Sequence, residues 1–280
     1  MREIKCEKIT EAVADLCIKA NYYLNADIKC ALEDGRKNED KQMAKNILDV
    51  LLENAEIAKT DGLAICQDTG MAVVYIEMGQ ECFVTGGYLY DAVNAGVAKG
   101  YEEGYLRKSI VKDPVRRENT NDNTPAVIHM EIVKGDSFEI TVAPKGFGSE
   151  NMSSLYMLTP SAGIEGVKKC IVDTVRNAGP NPCPPVVVGV GVGGTMDKAA
   201  MIAKKALLRP VDSLNEDIYW AKVEAELYEE INMLDIGPGG FGGKTTCLGV
   251  NIEVFPTHIA GLPVAVNIGC HVTRHASARI

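Results

Sequence analysis

The side chains of this 280-residue sequence that lend themselves most directly to chemistry are its nine cysteines: Cys6, Cys17, Cys30, Cys66, Cys82, Cys170, Cys183, Cys247 and Cys270. The count is odd and the chain is long, which argues against a secreted disulfide framework. In a reducing compartment many cysteines mean buried thiols, catalysis or metal. No two stand as C-x-x-C, so the common zinc-ribbon and ferredoxin spacings are absent. A metal site here has to be assembled from distant segments. Cys17 falls on an apolar helical stripe, Cys170 has apolar neighbours one turn away, and Cys6 and Cys30 adjoin the N-terminal helices, so these read as small buried hydrophobes. Cys82 follows Glu81 in a turn region and joins no constellation. Cys66, Cys183 and Cys270 differ. They lie in Ile65-Cys-Gln-Asp-Thr-Gly70, Gly179-Pro-Asn-Pro-Cys-Pro-Pro185 and Asn267-Ile-Gly-Cys-His-Val-Thr-Arg274, where periodic structure stops. Loops held by Pro and Gly position ligands with little conformational freedom left to lose. Cys247, after Lys244-Thr-Thr, is a fourth candidate. On residue types and spacing alone, three readings stand: a four-cysteine zinc site, a three-cysteine site, and unrelated buried thiols.

Two glycine-rich segments invite a nucleotide reading. Gly189, Gly191 and Gly194 fit G-x-G-x-x-G after an apolar strand, but no acidic residue or second βαβ unit supports a dinucleotide site. They read instead as a tight strand-to-helix turn where backbones approach closely. Gly237-Pro-Gly-Gly-Phe-Gly-Gly-Lys244-Thr245 places Pro238 where a phosphate loop needs its first glycine, and a strand follows. It reads as backbone able to approach a substrate or cofactor.

The elements that must position these loops follow from periodicity. Residues 1–60 read as helical: Ile9, Val13, Leu16, Cys17 and Ala20 repeat at helical spacing, as do Met43, Ile47, Val50 and Leu51, with a polar connection over Gly35–Lys41. A loop over Ala64–Gly70 precedes a strand at Met71–Met78 and a helix at Tyr90–Tyr101. Leu106–Thr124 is charged and rich in turn formers. Ala126–Val133 and Ser137–Ala143 read as a hairpin joined by Lys134-Gly-Asp136. Helices are expected over Ala162–Asn177, Met196–Leu208 and Val211–Asn232, and strands over Val186–Val192, Leu248–Phe255 and Pro263–Ile268. Elements mix without strict βαβ alternation, which predicts an α+β fold of mainly antiparallel sheets with a helical N-terminal region. The whole is expected to form one domain over residues 1–280, its site in residues 61–280. The formal net charge of −9 argues against a nucleic-acid face. The charged N-terminus and the lack of any run near the roughly 20 apolar residues of a membrane span predict a cytoplasmic protein with no membrane partner.

The segments ICQDTG, APKGFGSEN, GPNPCPP, GVGGT, GPGGFGGK and PTHIAGLPVAVNIGC, in this order from about Gly62 onward, resemble the α subunit, or N-terminal half, of class I (iron–sulfur) fumarate hydratases and L(+)-tartrate dehydratases. The resemblance implies a hydro-lyase acting on a small C4 dicarboxylate, with fumarate and L-malate the leading pair and L-tartrate the alternative. It maps Cys66, Cys183 and Cys270 onto the three ligands of a [4Fe-4S] cluster, whose fourth iron has no protein ligand and serves as a Lewis acid. Cys247 matches no ligand position. Gln67 and Asp68 are implied to face the substrate, with Asp68 moving a proton at the hydroxyl. Arg107 is implied to bind a substrate carboxylate, Gly148 to contact substrate through its backbone, and His258 to stand near the cluster. Gly146-Phe147-Gly148 departs from the family's run of three glycines. Further substrate-binding residues and the general base belong to a C-terminal half in single-chain relatives. A separate β subunit, in an α2β2-type assembly, is therefore the expected partner. The rival outside enzymes is a zinc-bound structural or regulatory subunit.

Overall fold

A computed structural model describes all 280 residues. The elements are, in chain order, β1 (Arg2–Lys5), α1 (Cys6–Tyr22), α2 (Ala26–Asn38), α3 (Gln42–Asp61), β2 (Met71–Gly79), β3 (Cys82–Thr85) and α4 (Leu89–Glu103). Next come β4 (Val127–Val133), β5 (Phe138–Lys145), α5 (Phe147–Glu150), β6 (Ser154–Leu158), α6 (Gly163–Ala178) and β7 (Val186–Gly193). The chain finishes with α7 (Met196–Ala206), α8 (Ile218–Asn232), β8 (Cys247–Phe255), β9 (Leu262–Gly269) and β10 (Ala276–Arg279). This is an α+β fold, and no helix is long and apolar enough to cross a membrane. The chain forms two compact units: Met1–Leu24 with Asn54–Phe147 and Arg274–Ile280, and Asn25–Glu53 with Gly148–Thr273.

In the first unit the stripe Ile9, Val13, Leu16, Cys17 and Ala20 of α1 is buried with Val93, Val97 and Tyr101 of α4. Both pack with Val74 and Ile76 of β2 and Ile140 and Val142 of β5. Each such aliphatic side chain contributes about 1.5–3 kcal/mol on burial. The sheet order is β10-β5-β2-β4. The expected hairpin is absent: β4 and β5 exist, but β2 lies between them, parallel to β4 and antiparallel to β5. The reason is burial. Residues 72–76 of β2 are all buried, whereas β4 keeps several exposed positions, so the more apolar strand takes the interior place. Gly79 N–H then donates to Ser137 O, and Gln80 N–H to Val133 O, so the 134–137 turn folds over the end of β2.

The second unit has the sheet β6-β9-β7-β8. Its organising strand, β7, alternates valine and glycine from position 188. Val186, Val188, Val190 and Val192 pack with α6 and α8 through Ile171, Val175, Val223, Leu227 and Ile231. The opposite face carries Gly189 and Gly191. A Cβ there would stand 2.3 Å from Ala203 O and 2.1 Å from Ala199 O of α7. The glycine motif is therefore a close-packing device, as its bare backbone reading implied. Gly35 lies inside α2, not in a connection, and a Cβ there would meet the Thr245 methyl at 2.7 Å. The last helix begins at Ile218, seven residues later than periodicity suggested. Asp217 caps it by accepting from Tyr219 N–H at 2.9 Å. Just ahead of it, Asn215 Nδ2 donates to Ile252 O of the edge strand β8 at 2.9 Å.

Candidate active site

In the first unit the loop after α3 carries Cys66, Gln67 and Asp68 into β2. Gln67 is exposed, and Cys66 and Asp68 are half-buried. Asp68 uses both carboxylate oxygens. Oδ1 accepts from Gly70 N–H at 3.0 Å, an Asx turn, and Oδ2 accepts from Phe147 N–H at 2.9 Å. That second bond joins the ICQDTG loop to the Lys145-Gly-Phe147 segment at the end of β5, whose register against β2 pairs Lys145 with Met71.

The backbone of this loop is held from several sides. Arg274 is 5% exposed; its guanidinium donates to Asp68 O at 2.8 Å and to Asn21 Oδ1 at 3.2 Å. The Tyr101 hydroxyl, fully buried on α4, reaches Thr69 O at 2.7 Å and Gly70 O at 3.0 Å. Burial pushes that phenol well above its usual range, so it stays a donor. Asn123 Nδ2 also donates to Gly70 O, at 3.2 Å. Thr69 Oγ1 donates to Arg107 O at 3.1 Å, which ties the Arg107 backbone to the same loop while its guanidinium is exposed.

In the second unit Cys183 and Cys270 come from loops that touch. His271 N–H donates to Cys183 O at 3.4 Å, and His271 Nδ1 lies 2.9 Å from the same oxygen. A carbonyl only accepts, so that contact requires the proton on Nδ1. Cys183 has φ +55° between Pro182 and Pro184 and is exposed, and Cys270 is half-buried at the end of β9. The glycine-rich loop supports them: Gly239 N–H donates to Pro184 O at 2.8 Å. Gly148 lies beside the same loop, its would-be Cβ 3.8 Å from Asn181 O. That spacing is ordinary contact, so space alone does not require glycine there.

His258 is not brought to these two cysteines. It sits in the exposed turn before β9, whereas Cys270 follows the end of that strand. The eight residues of β9 put roughly 26 Å between the two ends. Its Nδ1 accepts from Ala260 N–H at 3.2 Å.

The chain presents no ready-made group of three or more His, Cys, Asp or Glu side chains set for a metal ion. The chemistry of the thiols nevertheless sorts them. Burial pushes Cys17 and Cys247 up to about 12, which keeps both protonated and unsuited to binding a metal as thiolates. Cys183 is exposed and Cys66 and Cys270 are partly exposed, each on a loop framed by Pro or Gly, and such thiols are soft donors that fit iron–sulfur ligation. Sequence reasoning assigned no role to Arg274, Tyr101, Asn123 or His271. Arg274 and His271 stand inside a segment singled out for its cysteine. Only the fold shows what Tyr101 and Asn123 reach.

Known proteins bear on these loops. A family model described as fumarate hydratase (Fumerase) matches residues 10–279. The putative L(+)-tartrate dehydratase subunit alpha of Methanocaldococcus jannaschii is 42% identical over 279 residues, covering 98% of both chains. The L(+)-tartrate dehydratase subunit alpha of Escherichia coli K12 is 32% identical over 273 residues, covering 96% of this chain and 90% of that one. With a match that runs almost end to end through every loop described above, this chain belongs to the fumarate hydratase (Fumerase) family.

Proposed function

We propose that this chain is the α subunit of an iron–sulfur hydro-lyase that reversibly removes water from a hydroxylated C4 dicarboxylate, in partnership with a separate β subunit in an α2β2-type assembly. The observation that carries this is the family match over residues 10–279, together with three accessible cysteines on Pro- and Gly-framed loops. Cys66, Cys183 and Cys270 would hold a [4Fe-4S] cluster. When bound, the cluster supplies a Lewis-acidic iron that has no protein ligand.

The chain's own residues do the rest. Asp68 holds or moves a proton at the substrate hydroxyl, and Gln67 beside it is exposed and able to donate or accept. Arg107 offers a planar fork of donors to a carboxylate. Gly148 contributes backbone contact from α5. His258 stays outside this assignment because of its place at the far end of β9. Two substrates have separate support. The family description names fumarate, and the names of the relatives, at up to 42% identity, weigh toward L(+)-tartrate.

The test is to purify the chain with its β partner without oxygen and assay iron, acid-labile sulfide and turnover of L-tartrate, L-malate and fumarate. Serine at Cys66, Cys183 or Cys270 should each cut iron content and abolish turnover, and Cys247→Ser should do neither. A colourless protein with stoichiometric zinc would support a structural subunit and overturn this reading.

A further inference from the structure

Three donors of the first unit converge on consecutive carbonyls of one loop. Asp68 O takes Arg274, Thr69 O takes Tyr101, and Gly70 O takes Tyr101 and Asn123. A loop carbonyl needs no side-chain donor when water can reach it. Spending a buried guanidinium on one is costly unless position matters, because moving a charge out of water must be offset by good hydrogen bonds. Arg274 comes from a segment just ahead of β10 and spans from Asn21 on α1 to Asp68, so it braces the loop against the helix that packs beneath the sheet. The carbonyl it holds belongs to the residue whose carboxylate is wedged between Gly70 N–H and Phe147 N–H. With the carbonyl and both carboxylate oxygens fixed, Asp68 has almost no freedom of rotation.

From this we infer that Arg274 is a positioning residue for Asp68: it acts through the Asp68 carbonyl to hold the carboxylate where the reaction needs it, and touches no substrate itself. The inference rests on the hydro-lyase reading only for its kinetic part. Misplacing a reacting group by about 1 Å costs on the order of 100-fold in rate, and such a loss falls on kcat more than on KM.

The experiment compares Arg274→Met, Arg274→Lys and Tyr101→Phe in the purified αβ complex. Glu224→Gln, in a buried network of the second unit, serves as the control for simple destabilisation. Amide hydrogen exchange is read by mass spectrometry in peptides covering 63–72 and 144–150, with iron content and steady-state kinetics in parallel. Arg274→Met should speed exchange at least tenfold in those two peptides alone and lower kcat roughly 10- to 100-fold, with KM within about threefold and iron content unchanged. Tyr101→Phe should speed exchange in the 63–72 peptide, and Arg274→Lys, which keeps charge and one donor, should recover part of both losses. Unchanged exchange and kcat in Arg274→Met would overturn the inference. So would exchange rising throughout the first unit with kcat tracking only the folded fraction, the pattern that the Glu224→Gln control should give in the second unit. If the unaltered complex turns over no dicarboxylate, the hydro-lyase reading fails by itself, and the two peptides still decide whether Arg274 holds the loop.

Discussion

The Phe147 N–H donates to Asp68 Oδ2 at 2.9 Å, across 79 positions of sequence. Two motifs that look independent in the sequence, Ile65-Cys-Gln-Asp-Thr-Gly70 and Lys145-Gly-Phe-Gly148, are thereby one structural feature. A carboxylate can accept two backbone N–H bonds at once; an amide of the same shape offers one oxygen and would set its NH2 against the other N–H.

Asp68→Asn should therefore both destabilise and inactivate. Losing one charge-assisted bond and leaving one N–H unmet costs about 1–3 kcal/mol. Urea denaturation of the isolated variant should show a lower midpoint with an unchanged slope, and turnover of the αβ complex should fall at least about 100-fold. Full activity in Asp68→Asn would remove Asp68 from proton transfer.

Thiol reactivity should divide the nine cysteines by environment. At pH 8 a maleimide should modify Cys30 and Cys183, which are exposed, and spare Cys17 and Cys247, which burial holds near 12. Peptide mapping of the folded chain without its cluster checks this, and labelling of Cys247 ahead of Cys183 would contradict it.

The same two buried thiols predict alkaline sensitivity. Each has a folded pKa raised from 9.0 to about 12, so the unfolded chain loses its proton first. The stability they contribute is complete below pH 9 and is lost progressively as pH rises from about 9 towards 12. Replacing Cys17 with alanine should flatten that part of the stability-against-pH curve, even though the cavity lowers its plateau.

Gly191→Ala tests the packing of β7. A methyl there would overlap Ala199 O at 2.1 Å, and overpacking of this kind costs about 1–3 kcal/mol. Thermal unfolding should show a drop of several degrees, with nucleotide addition changing nothing, because the glycines serve a helix and not a phosphate. Ligand-induced stabilisation by a nucleotide would revive the discarded reading.

Breaking the Arg209–Glu224 pair should be more damaging. Glu224 is 8% exposed, accepts from Ile252 N–H at 2.6 Å and from Asn215 Nδ2 at 2.9 Å, and lies beside Arg209. Glu224→Ala leaves Arg209 with Glu253 and Asn251 as its remaining side-chain partners, strands the Ile252 N–H and the Asn215 amide, and should cost about 3–5 kcal/mol. Replacing both partners with apolar residues should recover part of that loss.

Local signals were legible in the sequence wherever one period dominated. The α1 stripe from Ile9 to Ala20 and the valine run of β7 appear where expected because each carries one unbroken apolar pattern into a core. Strand pairing was not legible. Lys134-Gly-Asp136 has hairpin chemistry, yet β2 separates its flanking strands, since partner choice depends on which strand the core can bury. The short strands β1, β3, β6 and β10 carry four or five residues each, too few for a pattern. At the site, the cysteine loops could be read from their Pro and Gly frames. The donors that hold them could not: Tyr101 reads as one more apolar residue of α4, and its hydroxyl contact with Thr69 spans 32 positions.

Strand β10 pairs with β5, and Ile280 N–H donates to Phe138 O at 3.0 Å. Arg274 sits just ahead of it. The first unit thus opens ahead of the second along the chain and is closed only by residues 274–280, after the whole of 148–273 has been made. Vectorial synthesis gives the second unit the chance to fold before the first can close. A chain stalled or clipped before Arg274 would carry all three cysteines and still lack the brace on Asp68, so cysteine content alone is a poor measure of a finished molecule.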